Sequence, residues 1–122
     1  MIKKFLAYIL LTILLNSAMA QQSSFIRHTV VFKLKLAKDS PAEKDFRTAA
    51  NKLALIPGVE HFEYLQQISK KNKFDYGISM EFKSQDLYDK YSKHPDHLAF
   101  IQQYWLKDVE DFLEIDYQPL FN

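Results

Sequence analysis

The run Tyr91-Ser92-Lys93-His94-Pro95-Asp96-His97-Leu98-Ala99-Phe100 places two histidines three residues apart across a proline, with a tyrosine just upstream. Imidazole takes and gives protons near neutrality, its ordinary pKa being about 6.5. A phenol donates a hydrogen bond to a carbonyl or to the enolate formed from one. Removing a proton beside a carbonyl needs both parts, a base poised near the working pH and a donor for the oxygen on which charge develops. His97 is the candidate base and Tyr91 the candidate donor. An i, i+3 histidine pair can also share a metal ion, with His28 as a third ligand. No Asp or Glu clearly completes such a set, so no metal is expected. No organic cofactor is expected either.

These residues have to be positioned by the elements around them. Phe25 to Leu36 predicts a strand with Ile26, His28, Val30, Phe32, Leu34 and Leu36 on one face, and His28 therefore points the way the apolar residues point. It is either a core histidine satisfied by a hydrogen bond or a pocket residue. Ser40-Pro41-Ala42-Glu43 predicts a helix start, with Ser40 as cap, Pro41 in the first turn and Glu43 closing a capping box. Pro57-Gly58 ends that helix. Val59 to Ser69 reads as a second strand, Lys70 to Lys73 as a solvated turn, and Phe74 to Lys83 as a third strand. In the third strand Tyr76, Ile78, Met80 and Phe82 share a face, so the Tyr76 hydroxyl must find a partner or line a cavity.

Ser84 caps a second helix with Leu87, Tyr88 and Tyr91 inward. Pro95 disfavours helical backbone at His94 and starts another helix, in which His97, Ile101, Trp105 and Val109 recur every fourth residue on one face. His94, at the junction, suits capping. Phe112 to Gln118 closes the chain as a strand. Strand, helix, strand, strand, helix, strand is the order of the ferredoxin-like α+β sandwich (βαββαβ), with helices on one sheet face. The other face carries Arg27, Thr29, Val31, Leu65 and Ser79, and an open face with apolar members commonly meets a copy of itself.

Residues 1–20 read as a signal peptide. Lys3 and Lys4 precede an eleven-residue apolar run, Phe5 to Leu15, broken only by Thr12, and Ala18-Met19-Ala20 offers a cleavage site. That run is well short of the roughly 20 residues that span a bilayer. The expectation is an exported chain, periplasmic or secreted, without stable membrane association after cleavage. Residues 21–24 form a short polar leader and residues 25–119 the single folded domain. Of the sixteen Lys and Arg, two leave with the signal, and the remaining fourteen face fifteen Asp and Glu. That balance argues against nucleic acid as a partner. With no cysteine, disulfides and thiolate chemistry are excluded.

The chain resembles the stress-responsive α/β barrel (Dabb) family of dimeric α+β barrels over about Ile26 to Gln118. The resemblance rests on Arg27-His28 opening the first strand, Ile56-Pro57-Gly58-Val59, Phe74-Asp75-Tyr76-Gly77 with Glu81-Phe82, the Tyr91 to Phe100 run and Asp116-Tyr117. It implies a homodimer in which two sheets pair into a barrel, and a pocket between each sheet and its helices. In the family's plant cyclase, which closes a linear polyketide by aldol condensation without a cofactor, the matching positions are His97 as base, Tyr91 as its aid and His28 on the first strand. A further pocket histidine of that enzyme is matched here by Tyr76. The pocket set is then His28, Tyr76, His94 and Trp105 around Tyr91 and His97. Three functions fit: a binding module for a small apolar or aromatic molecule, a cofactor-free cyclase or isomerase, and a structural stress-protection protein.

Overall fold

The structure, a computed structural model, describes residues 25–120. The expected signal peptide and polar leader lie outside the described residues. The elements are β1 (Ile26–Leu34), α1 (Pro41–Asn51) continued by a 3₁₀ turn (Lys52–Leu55), β2 (Glu60–Gln66), β3 (Tyr76–Phe82), α2 (Gln85–Lys93), α3 (Pro95–Phe100), a π-helical turn (Ile101–Trp105), a last helical turn (Leu106–Asp108) and β4 (Val109–Tyr117). The four strands form one sheet in the order β2-β3-β1-β4, and every neighbouring pair is antiparallel. This is the ferredoxin-like α+β fold.

Period-two patterning sets which side of the sheet is covered. Every second residue of β3, from Tyr76 to Phe82, is buried, and Ile26, His28, Phe32 and Leu34 of β1 are buried with them. Phe32 is the hub. Its ring lies 5.2 to 5.8 Å from those of Phe46, Tyr64, Tyr76 and Trp105, spacings at which aromatic edges and faces attract. On the opposite face, register aligns Val31 with Leu113 and with Gly77, and Gly77 with Leu65. Among the described residues no helix covers this row, and Leu65, Leu113 and Tyr117 are exposed.

The helix starts follow their caps. Ser40 and Ser84 each accept from the backbone N–H three residues on, satisfying a donor the first turn leaves free. Glu43 does not close a capping box. Its carboxylate turns into the core, wholly buried, and takes 2.7 and 2.8 Å bonds from Arg47 one turn later. Gly58 holds a φ of +92° where the chain turns from the 3₁₀ segment into β2, and a β-carbon there would meet Leu87 at 3.3 Å, so both backbone and space call for glycine.

Several boundaries differ from the sequence reading, and three of them have a visible cause. β2 ends at Gln66, not Ser69, because Gln67 and Asn72 exchange side-chain hydrogen bonds that fold the chain into a loop, leaving Ile68 94% exposed. The third helix is not a regular helix through Val109. At Leu106 the N–H reaches back five residues to the Ile101 carbonyl, and the helical path ends at Asp108, whose carbonyl accepts from Lys35 N–H. Val109 is extended and already belongs to β4, which therefore starts three residues earlier than Phe112.

Candidate functional site

A cavity of about 290 Å³ lies between the inner sheet face and the helices. The sheet contributes His28 and Val30 from β1, Ile78 and Met80 from β3, and Phe112 and Glu114 from β4. The helical side contributes Tyr91, His97, Phe100, Ile101, Trp105 and Leu106. The π turn lets both Trp105 and Leu106 reach the lining, since a wider turn advances each residue less around the axis.

His97 is half-buried, and its Nδ1 lies 3.0 Å from the Ser92 carbonyl. A carbonyl can only accept, so Nδ1 carries the proton and Nε2 presents a lone pair. Burial holds the His97 pKa below the usual imidazole value, against the Ser92 bond, which raises it. The ring is thus neutral at neutral pH, with a basic nitrogen that no protein group engages among the described residues. Tyr91 is buried, its ring 4.6 Å from that of His97. Burial, then the charge of Glu114, pushes its phenol well above the ordinary range, so it stays a protonated donor.

His28 is buried and sits 6.2 Å, ring to ring, from Tyr91. Its Nδ1 is 2.7 Å from Asp116 Oδ1, 3.6 Å from Glu114 Oε1 and 3.0 Å from the Tyr88 hydroxyl. Tyr88 in turn donates toward Asp116 Oδ2 at 2.9 Å and lies 3.3 Å from Glu114 Oε1. The sheet register explains the group: Asp116 stands opposite His28 and Glu114 opposite Val30.

Of the residues singled out in the sequence, His28, Tyr91, His97 and Trp105 meet at the cavity. Tyr76 and His94 do not line it. Tyr76 is part of the aromatic wall, its ring 5.7 Å from Phe32 and 5.8 Å from Tyr64. His94 caps α3, its Nδ1 accepting from Asp96 N–H at 3.1 Å, and borders a surface groove with Pro57 and Leu87. Its position follows from Pro95, which keeps His94 extended and outside the helix face that carries His97. Sequence reasoning missed Tyr88, Glu114 and Asp116 as partners of His28. The period of β4 puts Phe112, Glu114 and Asp116 on one face, but only pairing with β1 shows which face that is.

The Stress responsive A/B Barrel Domain matches residues 26–119, nearly all of the folded part. The chain belongs to this family. A solved Dabb family protein of ferredoxin-like fold from Mesorhizobium loti is 54% identical, with a TM-score of 0.78, over 80% of this A/B barrel chain and 99% of that one. Olivetolic acid cyclase of Cannabis sativa is 26% identical over 101 residues, 77% of this chain and 96% of the cyclase. A stress-response A/B barrel domain-containing protein of Arabidopsis thaliana is 28% identical over 103 residues, 83% of this chain but only 39% of that protein. A ferredoxin-like protein from Thermobifida fusca, 22% identical with a TM-score of 0.66 over 80% of this chain and 93% of that one, is described as dimeric. It shares the fold.

Proposed function

We propose that this chain is an exported, homodimeric A/B barrel protein whose cavity binds a small apolar or aromatic molecule through a polar X–H group. One observation carries the reading. In a cavity walled by aliphatic and aromatic side chains, the Nε2 of His97 is an acceptor without a protein partner among the described residues, beside the protonated Tyr91 phenol. Apolar walls with few convergent polar groups are what a small-molecule site needs. A phenol, or an enolisable carbonyl in its enol form, would fill such a cavity and donate to His97. Trp105 is the single tryptophan of the chain and lines the cavity, so its fluorescence reports occupancy.

Titration with an alkylphenol should quench Trp105 saturably. His97→Ala and Tyr91→Phe should each weaken binding roughly 2- to 13-fold, the value of one hydrogen bond of about 0.5–1.5 kcal/mol. Wild-type affinity should hold above pH 6.5 and fall as pH drops through the lowered His97 pKa, because protonated Nε2 no longer accepts. A quench that does not saturate, or one indifferent to His97→Ala and to pH, would remove this reading.

A second reading is cofactor-free proton transfer, with His97 taking a proton next to a carbonyl and Tyr91 donating to the enolate oxygen. The fixed His97 tautomer favours it, and one relative is a cyclase. Catalysed deuterium uptake at the acidic carbon of an aromatic β-diketone, abolished by His97→Ala, separates it from binding alone.

Dimerisation is proposed through the open sheet face, where the row of Val31, Leu65 and Leu113 faces no helix among the described residues. Val31→Glu should convert a sedimenting dimer to monomer or aggregate, since a carboxylate at the centre of a closed interface is left unpaired. Wild-type protein that sediments as a monomer at micromolar concentration would refute the dimer.

A further inference from the structure

We propose that His28, Glu114 and Asp116 form a divalent-cation site at the rim of the cavity, for a first-row metal such as Zn²⁺. One ligand atom from each of the three side chains lies within 4.8 Å of the other two. His28 Nδ1 and Glu114 Oε1 are 3.6 Å apart, and His28 Nδ1 and Asp116 Oδ1 are 2.7 Å apart. Metal–ligand bonds of about 2.0–2.2 Å in a tetrahedron need donor–donor edges of roughly 3.3–3.6 Å. The first separation already fits. The second widens with a small rotation of Asp116, whose side chain is 42% exposed, as its bond to His28 gives way to the ion.

Charge gives an independent reason. Glu114 and Asp116 are two residues apart on one strand face and converge on a single imidazole. Even a protonated His28 neutralises only one of them, and neither carboxylate has a Lys or Arg within ion-pair distance among the described residues. Holding like charges together on a sheet is unfavourable. The Tyr88 hydroxyl, within hydrogen-bond reach of both, has one proton to give. It spends that proton on Asp116 Oδ2 at 2.9 Å and so orients the carboxylates instead of serving as a ligand. A divalent ion would balance the two carboxylates and leave His28 neutral. Three protein ligands leave a fourth position for water or for a molecule in the cavity, since His28 and Glu114 also line it.

The experiment is titration of the full chain, stripped with EDTA, with Co²⁺ followed by visible absorption and with Zn²⁺ followed by calorimetry. One ion per chain and the intense visible bands of four-coordinate Co²⁺ are expected. Asp116→Asn and Glu114→Gln, both at half-exposed positions, should each weaken Zn²⁺ binding at least ~10-fold, and Tyr88→Phe by up to ~10-fold. His61→Ala and His94→Ala should leave it unchanged. If one carboxylate variant fails to fold, the other carries the test. Absence of the Co²⁺ bands, or Zn²⁺ affinity that survives both carboxylate variants, overturns the site and leaves His28–Asp116 a structural hydrogen bond. Alkylphenol titration in EDTA keeps this outcome separate from that of the cavity-binding reading.

Discussion

Arg47→Ala is expected to cost about 3–5 kcal/mol, a large share of the roughly 5–15 kcal/mol that holds a domain of this size together. The cause lies in Glu43, not in the arginine itself. Glu43 is wholly buried, and both of its carboxylate oxygens bond to the Arg47 guanidinium at 2.7 and 2.8 Å. The same pairing raises the Arg47 pKa, the Glu43 hydrogen bond being its largest cause. Removing the arginine leaves a charge in the core with no cation to balance it. Urea denaturation of the single variant measures the cost. The double variant Glu43→Leu/Arg47→Ala should recover most of it, because a leucine at position 43 leaves no buried charge in need of a partner. A loss below about 1 kcal/mol in Arg47→Ala would mean that water or a side-chain rearrangement serves Glu43, and the ion pair would then be ornamental to stability.

Trp105→Ala should be comparably damaging, at about 3–5 kcal/mol, for the opposite reason of lost apolar contact. Trp105 is buried and packs against Phe32 at 5.2 Å and Phe112 at 5.4 Å between ring centroids. Its other side faces the cavity, so part of its surface already lacks protein neighbours. That places the expected loss toward the lower end of the range, because the void created merges with existing space. Each kcal/mol lowers the melting temperature of a domain near 100 residues by about 4–8 °C, which makes the effect plain in a thermal scan. Trp105→Phe should cost distinctly less and preserve the wall. If Trp105→Ala melts within a few degrees of wild type, the ring is a cavity lid and not part of the core.

The legible part of this protein is the part written in local patterns. The unbroken alternation of Tyr76, Ile78, Met80 and Phe82 commits β3 to a buried face, because side chains alternate sides along any strand. Ser40 and Ser84 mark helix starts because a cap acts within three residues. His97 faces inward because its distance from Ile101 and Trp105 is one and two helical turns, and the π turn alters the path too late to move it away. Pro95 fixes His94 as extended by local sterics, and with that the capping role follows.

What the sequence did not hold is everything that depends on which strand lies beside which, and in what register. His28 and Asp116 are eighty-eight positions apart and touch at 2.7 Å. Nothing near either residue announces the other. A shift of one residue in the β1–β4 pairing would have turned Glu114 and Asp116 to the open face and left His28 without them. The inward turn of Glu43 was hidden in the same way, since its caps and spacing equally suit a solvent-facing capping box. Tyr76 was placed on the correct face, yet only the packing of Phe32 and Tyr64 around it decided that it forms wall and not cavity. Periodicity reports the direction of a side chain from its own backbone; its neighbours are set by long-range pairing, which only the folded chain brings about.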